Sequence, residues 1–194
     1  MRISGFSWGL ALLSIGLLAG CGVNQSEKQS QSQQQTSRQQ GTTKSVTATT
    51  KVSLTAAIKI FQQQFTDASI TGVELKRTLG RPVYKIEGVG GTTAHELQLN
   101  AQTGKIISKD SEQLDQDDQN EAKTDQLNLN NLISPSKAVA IAVHDMSGGH
   151  ATELQLDKTS GITYWEVEVH KGQQQVDVKI DAHKGSILET EHDD

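Results

Sequence analysis

The chain has 194 residues, a formal net charge of −5 and a hydrophobic content of 34%, low for one large core and more in keeping with small domains. Its 18 basic and 23 acidic side chains form no basic stripe, which argues against nucleic acid as a partner, since neutralising phosphates takes clustered Lys and Arg. One cysteine cannot close an internal disulfide, and no HExxH, CxxC or GxSxG stretch offers a metal triad or an activated nucleophile, so the reading is a non-enzyme with no catalytic, metal or cofactor residues.

Residues 1–20 carry a single charge, Arg2, followed by an apolar run from Gly5 to Gly20. That run is too short and too glycine-broken to span the ~30 Å hydrocarbon core stably, and it has the shape of a signal peptide. Leu18, Ala19, Gly20 and Cys21 resemble the lipobox of bacterial lipoproteins, in which the chain is cut before the cysteine and the thiol takes a diacylglycerol. Each buried methylene contributes ~0.8 kcal/mol, so acyl chains on Cys21 would fasten the protein to a lipid bilayer, at the outer face of the cytoplasmic membrane. Loss of residues 1–20 removes only Arg2, leaving 17 basic against 23 acidic side chains.

Residues 21–51 read as a tether. Gln, Ser and Thr dominate, Val46 and Ala48 are the only apolar side chains between residues 24 and 50, and nothing offsets the entropy of ordering. As a coil this segment would span roughly 30 Å, enough to hold a domain off a bilayer.

Sliding the remaining chain by 81 residues reveals an internal repeat, in which Ala57 meets Ala138, Gly80 meets Gly161, Glu87 meets Glu168 and Gly104 meets Gly185. The first unit is expected over residues 52–109 and the second over 133–192, with an acidic linker over 110–132. Each unit opens with a helix: Leu54, Ala57, Ile58, Phe61 and Phe65 recur at spacings of three and four, as do Ala138, Val139, Ala142 and Met146. Ser134 followed by Pro135 marks the start of the second helix, and Gly148 and Gly149 mark its end. Period two then takes over. Trp165, Val167 and Val169 face one way, Tyr164, Glu166 and Glu168 the other, as in a half-buried antiparallel strand. Val176, Val178 and Ile180 continue the pattern, and Tyr84, Ile86, Leu97 and Leu99 repeat it in the first unit. The turns "NAQTG" and "DAHKG" open on Asn100 or Asp181 and lead into a last short extended piece. The fold class is therefore α+β, two tandem units of one helix packed on a three- to four-stranded antiparallel meander.

The stretches "VELKRTLGRPVYKIEGVGGTTAHELQLNAQTGKII" and "TELQLDKTSGITYWEVEVHKGQQQVDVKIDAHKGSIL" resemble PepSY domains, found in propeptides of secreted thermolysin-like metallopeptidases and as stand-alone units of bacterial envelope proteins. The second copy follows the family pattern nearly throughout. The first departs at Lys85, where an acid is expected, at Gly88, where a valine is expected, and at His95, where an apolar side chain is expected. The resemblance implies a binding or regulatory module, with an extracytoplasmic peptidase as its partner class. The alternative is a structural envelope lipoprotein that holds a peptide, wall fragment or cation. Trp165 and Tyr84 are assigned to the core, and Tyr164, Glu166 and Glu168 form the candidate partner-binding face.

Two other groupings are read as ordinary surface. The seven carboxylates of residues 108–126, including Asp115, Asp117 and Glu121, lack the glycine that an EF-hand loop needs and suit a solvated linker. His144, His150, His170, His183 and His192 have no short ligand spacing. His95 is expected at a sheet edge or paired with a carbonyl, and residues 127–133 as a strand bridging the two units.

Overall fold

The computed structural model describes residues 44–192. The expected signal peptide, the expected lipobox with Cys21 and most of the expected tether lie outside the described residues. The elements in chain order are a 3-10 turn (Val46–Thr49), α1 (Leu54–Gln64), β1 (Ser69–Thr78), β2 (Arg81–Gly90), β3 (Thr93–Asn100) and β4 (Ile106–Gln113). They continue with α2 (Gln116–Asp125), α3 (Pro135–Asp145), β5 (His150–Thr159), β6 (Ile162–Lys171), β7 (Gln174–Asp181) and β8 (Ile187–His192).

Local chemistry explains why the two units repeat. Ser53 Oγ accepts from Ala56 N–H and Ser134 Oγ from Lys137 N–H, each at 3.2 Å, so both main helices start on a serine cap. The first hairpin of each unit turns on two residues of positive φ, Leu79 (51°) with Gly80 (78°) and Ser160 (51°) with Gly161 (82°). That pair of left-handed residues matches the right-handed twist of the flanking strands. Asn100 Oδ1 takes the N–H groups of Gln102 and Thr103, and Asp181 Oδ1 those of His183 and Lys184, closing the two turns before the last strands.

The eight strands form one antiparallel sheet in the order β4-β3-β2-β1-β5-β6-β7-β8. The last extended piece of each unit is a full ladder partner, β4 or β8, so each meander has four strands. The seam is β1 against β5: Val73 faces Leu156, Leu75 faces Leu154, and Glu74 faces Gln155. Residues 74 and 155 occupy the same place in the repeat, so a local two-fold axis passes between them and the contact is self-complementary, as in an isologous dimer. Strand alternation puts Val73, Leu75, Tyr84, Ile86, Leu154, Leu156, Trp165 and Val167 on the same face, which α1 and α3 cover to form one continuous core.

Three expectations about the connecting segments are corrected. Residues 127–133 are not a strand. Leu127 N–H donates to Ile70 O at 2.9 Å and Ile133 N–H to Ala182 O at 2.8 Å, while Leu127, Leu129 and Leu132 rest against the core, and positive φ at Asn131 breaks any extended run. The units are bridged by β1 and β5 instead. The acidic connection is not all solvated linker, since it holds the end of β4 and all of α2. Asp115 caps α2 by accepting from Asp117 and Asp118 N–H, those two acids sit in the first turn, and Lys123 sits in the last. This helix buries no residue, so capping and the macrodipole hold it and apolar periodicity gives no sign of it. Finally, the expected tether overlaps the fold over residues 44–51. Val46 is fully buried, Arg77 donates to Lys44 O, Ser45 O and Thr49 Oγ1, and Ser45 Oγ accepts from Ala151 N–H at 3.0 Å. This strap thus touches β1 of the first unit and β5 of the second, beside the seam.

The departures of the first unit from the repeat pattern are compensated by packing. Phe61 stands where the second unit has Ala142, and Gly88 where it has Val169, so a large residue on the helix meets a small one on the strand. His95 is neither at an edge nor bound to a carbonyl. It lies on β3, between β2 and β4, with its ring stacked on Phe65 at 4.3 Å and Nδ1 2.8 Å from Ser111 Oγ.

Candidate binding face

The sheet face turned away from α1 and α3 carries the candidate residues. Tyr164, Glu166 and Glu168 alternate with the buried Trp165 and Val167 on β6, and the register brings Lys179 opposite Glu166 and Asp177 opposite Glu168. Lys179 is the hub of this half. Its Nζ lies 2.9 Å from Glu189, 3.6 Å from Glu191 and 4.0 Å from Glu166. The bond to Glu189 and the surrounding carboxylates raise the Lys179 pKa. Partial burial raises that of Glu166 above the usual carboxylate range, against the pull of Lys179. Burial likewise pushes the Tyr164 phenol up to about 12, and the nearby Asp157 and Glu166 charges act in the same direction.

Glu168 is held more tightly. It accepts from Thr152 Oγ1, from His170 Nε2 at 2.9 Å and from Gln175 Nε2 at 3.2 Å. The structure also places His150 beside His170, with ring centroids 6.2 Å apart, a pairing the 20-residue gap does not suggest. Burial, His170 and Arg77 together lower the His150 pKa.

Across the seam the position equivalent to Glu166 carries the opposite charge. Lys85 occupies the place of Glu166 and lies 3.1 Å from Glu87 and 3.6 Å from the buried Glu74, which also pairs with Lys76. The central lysine of each half is therefore ringed by carboxylates, Lys85 on β2 and Lys179 on β7. The departure at Lys85 thus preserves an acid-ringed cation in the first half.

All three residues of the predicted face, Tyr164, Glu166 and Glu168, lie together on one strand face, half-buried. Lys179, Glu189 and Glu191 belong to the same face and escape a reading of β6 alone, because only the β7–β8 register brings them there. Chemically, the face can recognise charge through fixed carboxylates. No grouping of three or more His, Cys, Asp or Glu suited to holding a metal occurs among the described residues, and none of the described helices is long and apolar enough to cross a membrane.

A family model described as "Peptidase propeptide and YPEB domain", PepSY, matches residues 51–110 and again 132–191. A crystal structure of a provisionally assigned lipoprotein from Clostridium difficile 630 shares 32% identity and superposes with a TM-score of 0.71, over 74% of this chain and 95% of that one. No curated protein matches the chain. The two matched spans coincide with the two four-strand units whose equivalent residues meet at the seam, and the chain belongs to the PepSY family, of which it carries two copies in tandem.

Proposed function

We infer that the protein is an extracytoplasmic, lipid-anchored binding module that acts by holding a partner, and that the partner is a secreted or envelope peptidase. The observation that carries this reading is the fusion of two PepSY units into one sheet, whose face away from the main helices is fixed by ion pairs. Such a surface is preorganised for recognition, and preorganisation reduces the ordering that binding costs. The lipobox and the provisional lipoprotein assignment of the structural relative support the anchor at Cys21. The family description supports a peptidase as the partner class.

Two experiments test the two halves. Replacing Cys21→Ala should move the protein from the membrane fraction into the medium, and unchanged membrane retention would overturn the anchor. Crosslinking on intact cells, followed by identification of the joined proteins, should recover a peptidase, and the purified chain should alter that peptidase's rate. Recovery of only non-peptidase envelope proteins would overturn the partner class.

A further inference from the structure

The sheet has two open edges, β4 and β8, and the repeat makes them comparable residue by residue. Both begin with an exposed apolar pair, Ile106 and Ile107 on β4 and Ile187 and Leu188 on β8. They differ in what guards them. On the face shared with α1, β4 carries Lys109, opposite the buried Leu97, and α1 carries Lys59. The equivalent positions of the second unit are Thr190 and Ala140, while the lysine of α3 is Lys137, one turn earlier, where α1 has Ala56. Lysine on an edge strand is a standard defence against pairing with another chain, and β8 lacks it. Beside β8 a shallow groove of about 330 Å³ opens against α3, lined by Lys137, Ala140, Ile141, His144, Asp145 and Ile187. Thr190 Oγ1 donates to Asp145 Oδ2 at 3.3 Å and ties the groove to the strand.

We propose that β8 is a strand-addition site, which takes an extended peptide of alternating basic and apolar residues from the partner as a ninth strand. The main-chain groups along the open side of β8 supply the ladder. Alternate apolar side chains of the guest enter the groove floored by Ala140, Ile141 and Ile187. The intervening side chains emerge on the opposite face beside Glu189 and Glu191, which both reach toward Lys179. One lysine there faces three carboxylates, counting Glu166, so the edge carries surplus negative charge and selects Lys or Arg. The same acids argue against a second copy of this chain as the guest: β8 paired with β8 would set Glu189 and Glu191 against their own like charges, an unfavourable cross-strand arrangement. The proposal rests on the binding-module reading above and adds the chemistry of the guest segment.

The test uses the full chain in detergent micelles and two labelled, end-capped peptides, one alternating lysine with valine and one alternating glutamate with valine. Saturable binding of the lysine peptide is expected, with new hydrogen-exchange protection in β8 and none in β4, and no binding of the glutamate peptide. The double change Glu189→Lys and Glu191→Lys should weaken the lysine peptide by about tenfold or more, since rim charges steer and select. Ala140→Trp, which fills the groove without altering charge, should weaken it comparably, whereas Asp110→Lys with Glu112→Lys on β4 should leave it unchanged. Absence of binding, protection confined to β4, or a concentration-dependent dimer through β8 would each overturn the proposal. Peptide binding without peptidase capture on cells would remove the partner class while leaving the strand-addition site. Peptidase capture that survives the β8 substitutions would do the reverse.

Discussion

The ring of Phe61 occupies the space that a side chain at residue 88 would need. A Cβ added to Gly88 would stand 2.9 Å from Phe61 Cζ and 2.6 Å from Ser69 O. Gly88→Ala should therefore destabilise the protein by about 1–3 kcal/mol, the usual cost of overpacking a filled core. Adding Phe61→Leu should recover part of that loss, because it relieves the ring contact and leaves the contact with the backbone oxygen. Urea unfolding of the two single variants and the double variant measures the coupling, and strict additivity would show that the two residues do not share the space.

Leu79 is the most exposed large apolar residue of the described chain, at 98%, and sits at φ 51° in the first hairpin turn. A left-handed conformation costs a leucine roughly 1–2 kcal/mol, and asparagine before glycine is a favoured pair in this turn. Leu79→Asn should raise the unfolding free energy by about 0.5–1 kcal/mol. A lowered thermal midpoint would contradict the assigned turn geometry.

Tyr84 and Trp165 are equivalent residues and make equivalent bonds, Tyr84 Oη to Val52 O and Trp165 Nε1 to Ile133 O, each at 3.2 Å. Each ties the chain ahead of its helix to the second strand of its unit. Tyr84→Phe removes one hydrogen bond at nearly constant volume and should cost about 1 kcal/mol. Trp165→Phe removes the bond and also opens a cavity, so its loss should be clearly larger when both are compared by chemical denaturation.

Arg77 anchors the strap of residues 44–50 beside the seam through three acceptors. Arg77→Ala should release that strap while the rest of the sheet holds. Limited proteolysis should show faster cleavage within residues 44–52, and amides near the core of β6 should keep their exchange rates. Loss of protection throughout both units would mean that the strap is needed for the whole fold.

Two carboxylates should shift stability with pH in opposite senses. The N–H groups of Lys184 and His183 lower the Asp181 pKa, so its stabilisation is complete above the ordinary aspartate value and fades as pH falls through the lowered one. Burial raises the Glu153 pKa, so its charged form is penalised at neutral pH and the penalty vanishes below the ordinary glutamate value. Glu153→Gln should accordingly raise the thermal midpoint at pH 7 and leave it unchanged in acid below the ordinary value. Asp181→Asn should lower the midpoint at pH 7 and flatten the acid limb of the wild-type curve. Melting curves taken across the acid range check both signs.

Periodicity and turn chemistry made the repeated unit legible in the sequence. Helix stripes such as Leu54, Ala57 and Phe61, strand alternation around Trp165, and the Asn100 and Asp181 turns are local patterns, and local hydrogen bonding and apolar spacing suffice to specify them. The face of Tyr164, Glu166 and Glu168 followed from the same alternation. Helix α2 escaped because it buries nothing and depends on the Asp115 cap.

The tertiary structure alone decided how the two units meet. Pairing of Glu74 with Gln155 is a choice of register between strands 81 residues apart, and no pattern within either strand encodes its neighbour. The assembly of Lys179 with Glu166, Glu189 and Glu191, the burial of Val46 at the seam and the groove beside β8 all follow from that arrangement. Side-chain direction along a strand repeats every two residues and can be read locally, whereas which strand lies alongside depends on the whole core closing at once.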